Sequence, residues 1–226
     1  MAADTRRAHF ISFSGLDGAG KTTQTKLLGD WLRGLGFSTA VEAPPGPSLV
    51  RRTLTALASE GGVTNYVDYL GRDTTQLVNA FVRYRDWTER VLPRLDVEQF
   101  VVTDRFVACH YASARAWGAG NEDLLRQVLR DLPAPDVTVF LEVPPEVAYR
   151  RVTDRGLDRQ DLGFLRAYDR GYRSLPEFSG FVAVDGTGSV DEVQARLRSL
   201  VASSWTEVGR AAKAAGNPGP VYRRPT

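Results

Sequence analysis

Gly15-Leu16-Asp17-Gly18-Ala19-Gly20-Lys21-Thr22-Thr23 is the stretch on which the reading of this chain turns. Its spacing fits the phosphate-loop pattern G-x-x-x-x-G-K-[ST]. The glycines let successive backbone N–H groups converge on one point without a side-chain clash. The helix expected next adds unpaired N–H groups and the positive end of its dipole. Lys21 brings a compact ammonium for the β- and γ-phosphates, and the Thr22 hydroxyl can ligate Mg²⁺. Only 3 of the 29 basic residues are lysines. A forked guanidinium would fit this nest poorly, so the lysine is a chemical choice.

The flanks have the required order of strand, loop and helix. Phe10-Ile11-Ser12-Phe13-Ser14 reads as a short apolar strand before the loop. Leu27, Leu28, Trp31, Leu32 and Leu35 recur at helical spacing after it, closed by Gly34 and Gly36. Further strands are expected at 37–42, 99–104, 137–143 and 181–185, besides 9–14. Helical patterns fill 21–35, 48–59, about 70–92, 106–117, 121–131, 145–155, 161–175 and 189–205. Several strands are apolar at consecutive positions, which suits a parallel sheet covered on both faces. The expected fold is therefore the α/β/α three-layer P-loop NTPase fold: a five-stranded parallel sheet with flanking helices and a short arginine-bearing lid. One domain is expected over residues 1–215 with the lid at about 150–161, followed by a frayed tail over 216–226. In such sheets ligands bind beyond the carboxyl ends of the strands, where the loop, Glu42, Asp104 and Asp185 all fall.

Composition narrows the function classes. An apolar fraction of 42 % and a charged fraction of 25 % are ordinary for a globular protein. A net charge of +2 gives no field for nucleic acid or a membrane surface. A single cysteine, Cys109, excludes a disulfide framework and a cysteine-rich zinc site. No apolar run approaches the roughly 20 residues of a membrane span. A cytoplasmic protein with small-molecule nucleotide substrates is expected, without nucleic-acid or membrane partners.

Candidate chemistry gathers at the other strand ends. Asp104 can hold Mg²⁺ opposite Thr22, and the adjoining Arg105 can fork onto an acceptor phosphate. Arg150, Arg151, Arg155 and Arg159 form a basic cluster around the hinge residue Gly156. Mobile arginines there can close on a transferring phosphoryl group; the plainer reading is a solvated helix face. Phe81 and Arg85 lie four residues apart and share a helix face, a plausible base-recognition pair with Arg83, Tyr84, Trp87 and Arg90 as competitors. His110 follows closely and is read as either structural or substrate-binding. Cys109 reads as a small buried residue.

These residues together resemble the thymidylate kinase family of P-loop nucleoside-monophosphate kinases. The resemblance is carried by residues 15–24, by Asp104-Arg105-Phe106, by Pro135 to Ala148, by Arg155-Gly156-Leu157-Asp158-Arg159, by Phe164 with Gly171-Tyr172, and by Val184-Asp185-Gly186. It implies transfer of the ATP γ-phosphoryl group to the 5′-phosphate of dTMP or a related pyrimidine deoxynucleotide, with Mg²⁺, in a homodimer. It also implies that Asp17 lies near the sugar and metal, and that Arg105 grips the acceptor phosphate. Phe81 and Arg85 would flank the base, and Arg155 or Arg159 would be the catalytic arginine.

The chain departs from the family pattern in two places. Glu42-Ala43-Pro44-Pro45-Gly46 stands where an Arg-Glu-Pro-Gly type segment is usual. His110 and Ser113 stand where the family has a base-bonding group and a ring that excludes a 2′-hydroxyl. A modified pyrimidine therefore remains open as the substrate. So do a deoxynucleoside kinase, with Glu42 recruited as base, and a catalytically inactive nucleotide-binding regulator.

Overall fold

The structure is a computed structural model that describes residues 7–43, 45–46, 48–156 and 161–216. The elements are β1 (His9–Ser14), α1 (Lys21–Gly34), β2 (Thr39–Glu42), α2 (Ser48–Glu60), α3 (Tyr66–Leu70), α4 (Arg72–Arg90), α5 (Leu92–Leu95), β3 (Phe100–Asp104), α6 (Val107–Trp117), α7 (Glu122–Leu129), β4 (Val137–Glu142), α8 (Pro145–Asp154), α9 (Leu162–Arg173), β5 (Val182–Asp185), α10 (Val190–Ser204) and α11 (Thr206–Ala214). The five strands form one sheet in the order β2-β3-β1-β4-β5. All four pairings are parallel, as the consecutive apolar runs predict. Phe10, Ile11, Val101, Val102, Phe140 and Leu141 are buried although they alternate between faces. Helices therefore cover the sheet on both sides.

β1 is central, paired to β3 on one side and β4 on the other. The register sets Phe13 opposite Asp104 and Ser14 opposite Phe140. The end of β3 thus arrives beside the start of the phosphate loop, and the site forms at the point where strand order reverses.

Three boundaries differ from the sequence reading. The second strand starts at Thr39 and not at 37: the Phe37 N–H is still bonded to the Leu32 carbonyl at the end of α1, and pairing with β3 opens at Thr39 opposite Phe100. The helix expected over about 70–92 is α4, while α3, ended by Gly71 at φ 78°, and α5 after Val91 were not expected. Trp205 turns extended after α10, and α11 then buries Val208. The capping box of Ser189 with Glu192 starts α10 where its pattern begins.

Candidate active site

The phosphate loop leaves β1 and enters α1 through Gly15, Gly18 and Gly20, at φ 134°, 89° and 92°. These values lie where side chains are strained. Space is equally restrictive at Gly18, where a Cβ would sit 2.3 Å from the Ala148 carbonyl oxygen. The α8 backbone therefore supports the loop from behind. Leu16 and Ala19 are buried there and anchor it to the core.

Lys21 is 4 % exposed and folds back onto the loop. Its Nζ donates to the carbonyls of Gly15 and Leu16 at 3.0 and 2.8 Å, and lies 3.9 Å from the Asp17 carboxylate. Burial lowers its pKa, and Asp104 opposes that shift. An anion in the nest would supply the charge that these neutral carbonyls lack. The Thr22 hydroxyl donates to Asp104 Oδ2. Asp104 Oδ1 is buried with no protein partner. One hydroxyl and one carboxylate with a spare oxygen suit Mg²⁺, which keeps waters and takes its remaining ligands from phosphates. Among the described residues there is no cluster of three or more metal-ligating side chains, so a site made entirely of protein ligands is not on offer.

Arg105 is the only described non-glycine residue at positive φ, 76°. Its backbone N–H donates to the Phe13 carbonyl at 3.0 Å, which ties the turn to β1. Its guanidinium pairs with the Asp17 carboxylate and donates to Tyr168 Oη at 3.2 Å. Tyr168 donates onward to the Cys109 carbonyl at 3.1 Å, and Tyr172 donates to Tyr168 at 3.1 Å. The two tyrosine rings stack with centroids 4.8 Å apart. They reach this place because Gly171 lets α9 close on α6: a Cβ there would stand 2.5 Å from the Ala112 carbonyl oxygen. Burial works against the charge on Arg105, yet this polar surround keeps its pKa raised.

Two cavities meet at this arginine. One, of about 190 Å³, is lined by Asp17, Gly18, Gly20, Lys21, Thr22, Thr23, Asp104, Arg105 and Arg155. The other, of about 660 Å³, is lined by Asp17 and Arg105 again, with Gln76, Asn79, Arg83, His110, Ser113 and the rings of Trp87, Phe106, Trp117 and Phe164. The structure thus brings Asp17, Lys21, Thr22, Thr23, Asp104, Arg105 and Arg155 together on the phosphate side, and adds His110 on the far side. Arg159 lies outside the described residues. Arg151 is spent elsewhere: it donates to the carbonyls of Gly186 and Thr187 at 2.9 and 3.1 Å, bracing the loop after β5.

Phe81 and Arg85 are brought to neither cavity. Phe81 is 57 % exposed, and Arg85 pairs with Asp86 on the outer face of α4. The cavity receives Thr75, Asn79, Arg83 and Trp87, one row of positions four apart, with Gln76 beside it. Buried Ala80 and Trp87 identify that face; the sequence signal was the choice of row, and Trp87 was its marker. Tyr172 entered only as part of the family pattern and Tyr168 not at all, because a role in holding Arg105 depends on the approach of α9 to α6. Glu42 sits 3.6 Å from Arg94 and lines neither cavity.

His110 is 7 % exposed. Burial pushes its imidazole down to about 4, the Arg83 charge adds to this, and a hydrogen bond to the Gln76 backbone opposes it. The ring is neutral at physiological pH.

Comparison with known proteins agrees with this geometry. The family model described as "Thymidylate kinase" matches residues 13–197. A thymidylate kinase of Caldanaerobacter subterraneus subsp. tengcongensis is 31 % identical over 192 residues, covering 81 % of this chain and 90 % of that protein. One from Thiobacillus denitrificans is 32 % identical over 201 residues, covering 85 % and 95 %. One from Geobacillus thermodenitrificans is 30 % identical over 206 residues, covering 86 % and 90 %. With the match running from the end of β1 into α10, the chain belongs to the thymidylate kinase family.

Proposed function

We propose that the protein transfers the γ-phosphoryl group of ATP to the 5′-phosphate of dTMP or a close pyrimidine relative, giving the diphosphate. The observation that carries this reading is the wall shared by Asp17 and Arg105, which line both cavities. A phosphate donor held in the nest and a monophosphate held in the larger cavity would meet there. Arg105 can fork onto the acceptor phosphate while Asp17 holds the other side of its guanidinium.

Rate then comes from positioning and charge neutralisation. Loop amides and Lys21 hold the donor phosphates. Arg155 faces the donor cavity from the end of α8 and stabilises charge spreading over the transferring group. The acceptor oxygen is already anionic, so no general base is required. Thr22 and Asp104 would hold Mg²⁺, which supplies neutralisation of the donor phosphate oxygens when bound. We infer a homodimer as well, supported by the exposed Leu57, Tyr69 and Phe81 on α2, α3 and α4. No described helix is long and apolar enough to cross a membrane, and we place the enzyme in the cytoplasm with its nucleotide substrates.

Incubation with ATP, Mg²⁺ and either dTMP or thymidine tests the reading, with products separated by ion-exchange chromatography. dTDP is the expected product. Phosphorylation of thymidine instead would support a nucleoside kinase, and tight ATP binding without transfer would support an inactive regulator.

A further inference from the structure

Tyr172 holds one proton between two acceptors that belong to different halves of the site. Its hydroxyl donates to Tyr168 Oη at 3.1 Å, and the Gly15 carbonyl stands 3.5 Å from it. Gly15 opens the phosphate loop, and Lys21 Nζ donates to its carbonyl at 3.0 Å. Tyr168 Oη accepts from the Arg105 guanidinium at 3.2 Å and commits its own proton to the Cys109 carbonyl at 3.1 Å. A line of polar contacts thus runs from Lys21 through Gly15, Tyr172 and Tyr168 to Arg105. It joins the donor cavity to the wall shared with the acceptor cavity.

The line has two arrangements because a tyrosine hydroxyl carries a single donor. Tyr168 and Tyr172 lie four residues apart on α9, stacked and buried, so water does not replace a lost partner. In the structure Lys21 supplies Gly15, and the Tyr172 proton goes to Tyr168. A phosphate in the nest is a stronger partner for the ammonium than a neutral carbonyl and draws it away. The buried Gly15 carbonyl then recovers a donor when the Tyr172 hydroxyl rotates toward it. Arg105 becomes the sole donor to Tyr168 Oη. Two donors on one oxygen share its electron density, so the remaining bond strengthens.

Accepting the two cavities as donor and acceptor sites, we propose that Tyr172 couples them. Filling of the phosphate loop turns its hydroxyl from Tyr168 to Gly15 and tightens the hold of Tyr168 on Arg105. The guanidinium is then fixed where it receives the acceptor phosphate. Both tyrosines are positioning residues, acting on the substrates only through Lys21 and Arg105. The rotating hydroxyl is a two-state element that both sites bias, so each substrate raises the affinity of the other by the same factor.

The test measures calorimetric affinity for dTMP with and without saturating AMP-PNP and Mg²⁺ in the wild type, Tyr172→Phe and Tyr168→Phe. Both substitutions keep the stacked rings and remove one hydroxyl. The wild type should bind dTMP at least about 5-fold more tightly with the ATP analogue than without it. Tyr172→Phe, lacking the competing donor, should bind dTMP alone as the wild type does with the analogue, and adding the analogue should change this less than about twofold. Tyr168→Phe should bind dTMP at least about 5-fold more weakly than the wild type and also lose the coupling. A merely structural role would weaken binding in both variants. The Arg105 side-chain ¹⁵N signals of the wild type should move on addition of AMP-PNP and Mg²⁺ alone, and those of Tyr172→Phe should not. The inference is overturned by wild-type coupling in Tyr172→Phe, by weaker dTMP binding in both variants, or by Arg105 signals indifferent to the analogue. Absence of dTMP binding in a wild type whose Arg105 signals do respond would instead count against the acceptor reading alone.

Discussion

The two cavities that meet at Arg105 are made of different material. The donor side is built on one contiguous stretch, Gly15 to Thr23, whose glycine backbone and single lysine form the nest, with Asp104, Arg105 and Arg155 joining it from other elements. The acceptor side is assembled from side chains on α2, α3, α4, α6 and α9. Backbone recognition of a phosphate needs only a nest of N–H groups, so nine consecutive residues can encode it. Recognition of a base needs donors and acceptors at fixed positions, which separate elements must bring together. The first kind of site tolerates little substitution, and the second can be retuned residue by residue.

The largest effect should come from breaking the donor side. Lys21→Ala should lower kcat by at least about 10³-fold. Its thermal midpoint should not fall, because an ammonium held by two carbonyls in a buried nest contributes little to folding. A steady-state assay with a thermal-shift measurement on the same sample checks both.

Arg105→Ala strikes the shared wall. It should reduce kcat/KM for the acceptor by about 10²-fold or more and raise KM for ATP much less. A loss confined to ATP would place the arginine on the donor side only.

Gly18→Ala probes the support behind the loop. The clash with the Ala148 carbonyl and the φ of 89° should cost about 2–3 kcal/mol in urea unfolding.

The acceptor side has a pH signature. The folded pKa of His110 is lowered to about 4, against roughly 6.5 when unfolded. Between these values the unfolded chain binds the extra proton. Stability from this group is therefore whole above pH 6.5 and falls as pH drops toward 4, by about 3 kcal/mol. Urea titrations across pH 4–7 should show this slope in the wild type, and His110→Phe should remove it. Over pH 6–8 the acceptor KM should not follow a histidine titration.

The smallest effects belong to the outer face of α4. Phe81→Ala and Arg85→Ala should each change turnover at saturating substrates, and the acceptor KM, less than about twofold. A large loss from either would return the base-recognition role to that face. A shift of the sedimentation coefficient in Phe81→Ala would instead support its place in a homodimer contact.

How much of this could be read beforehand follows the same division. The phosphate loop, the parallel five-stranded sheet, Asp104 and Arg105 were legible because each rests on local pattern or on strand ends. The row of α4 that faces the cavity was not, because Phe81 and Arg85 show the same spacing of four as Asn79 and Arg83. Spacing defines a helix face but not its direction; packing against α6 and α7 supplies the direction. The tyrosine pair under Arg105 depends on a close approach at Gly171 that the sequence does not display.

The central claim is that donor and acceptor phosphates meet at the wall formed by Asp17 and Arg105. Calorimetric titration with an adenosine–thymidine bisubstrate analogue, joined through a pentaphosphate, tests it most directly. The account predicts affinity at least about 100-fold above that of ATP or dTMP alone, with most of the gain lost in Arg105→Ala. An analogue bound no more tightly than ATP, or bound equally well by Arg105→Ala, would contradict it.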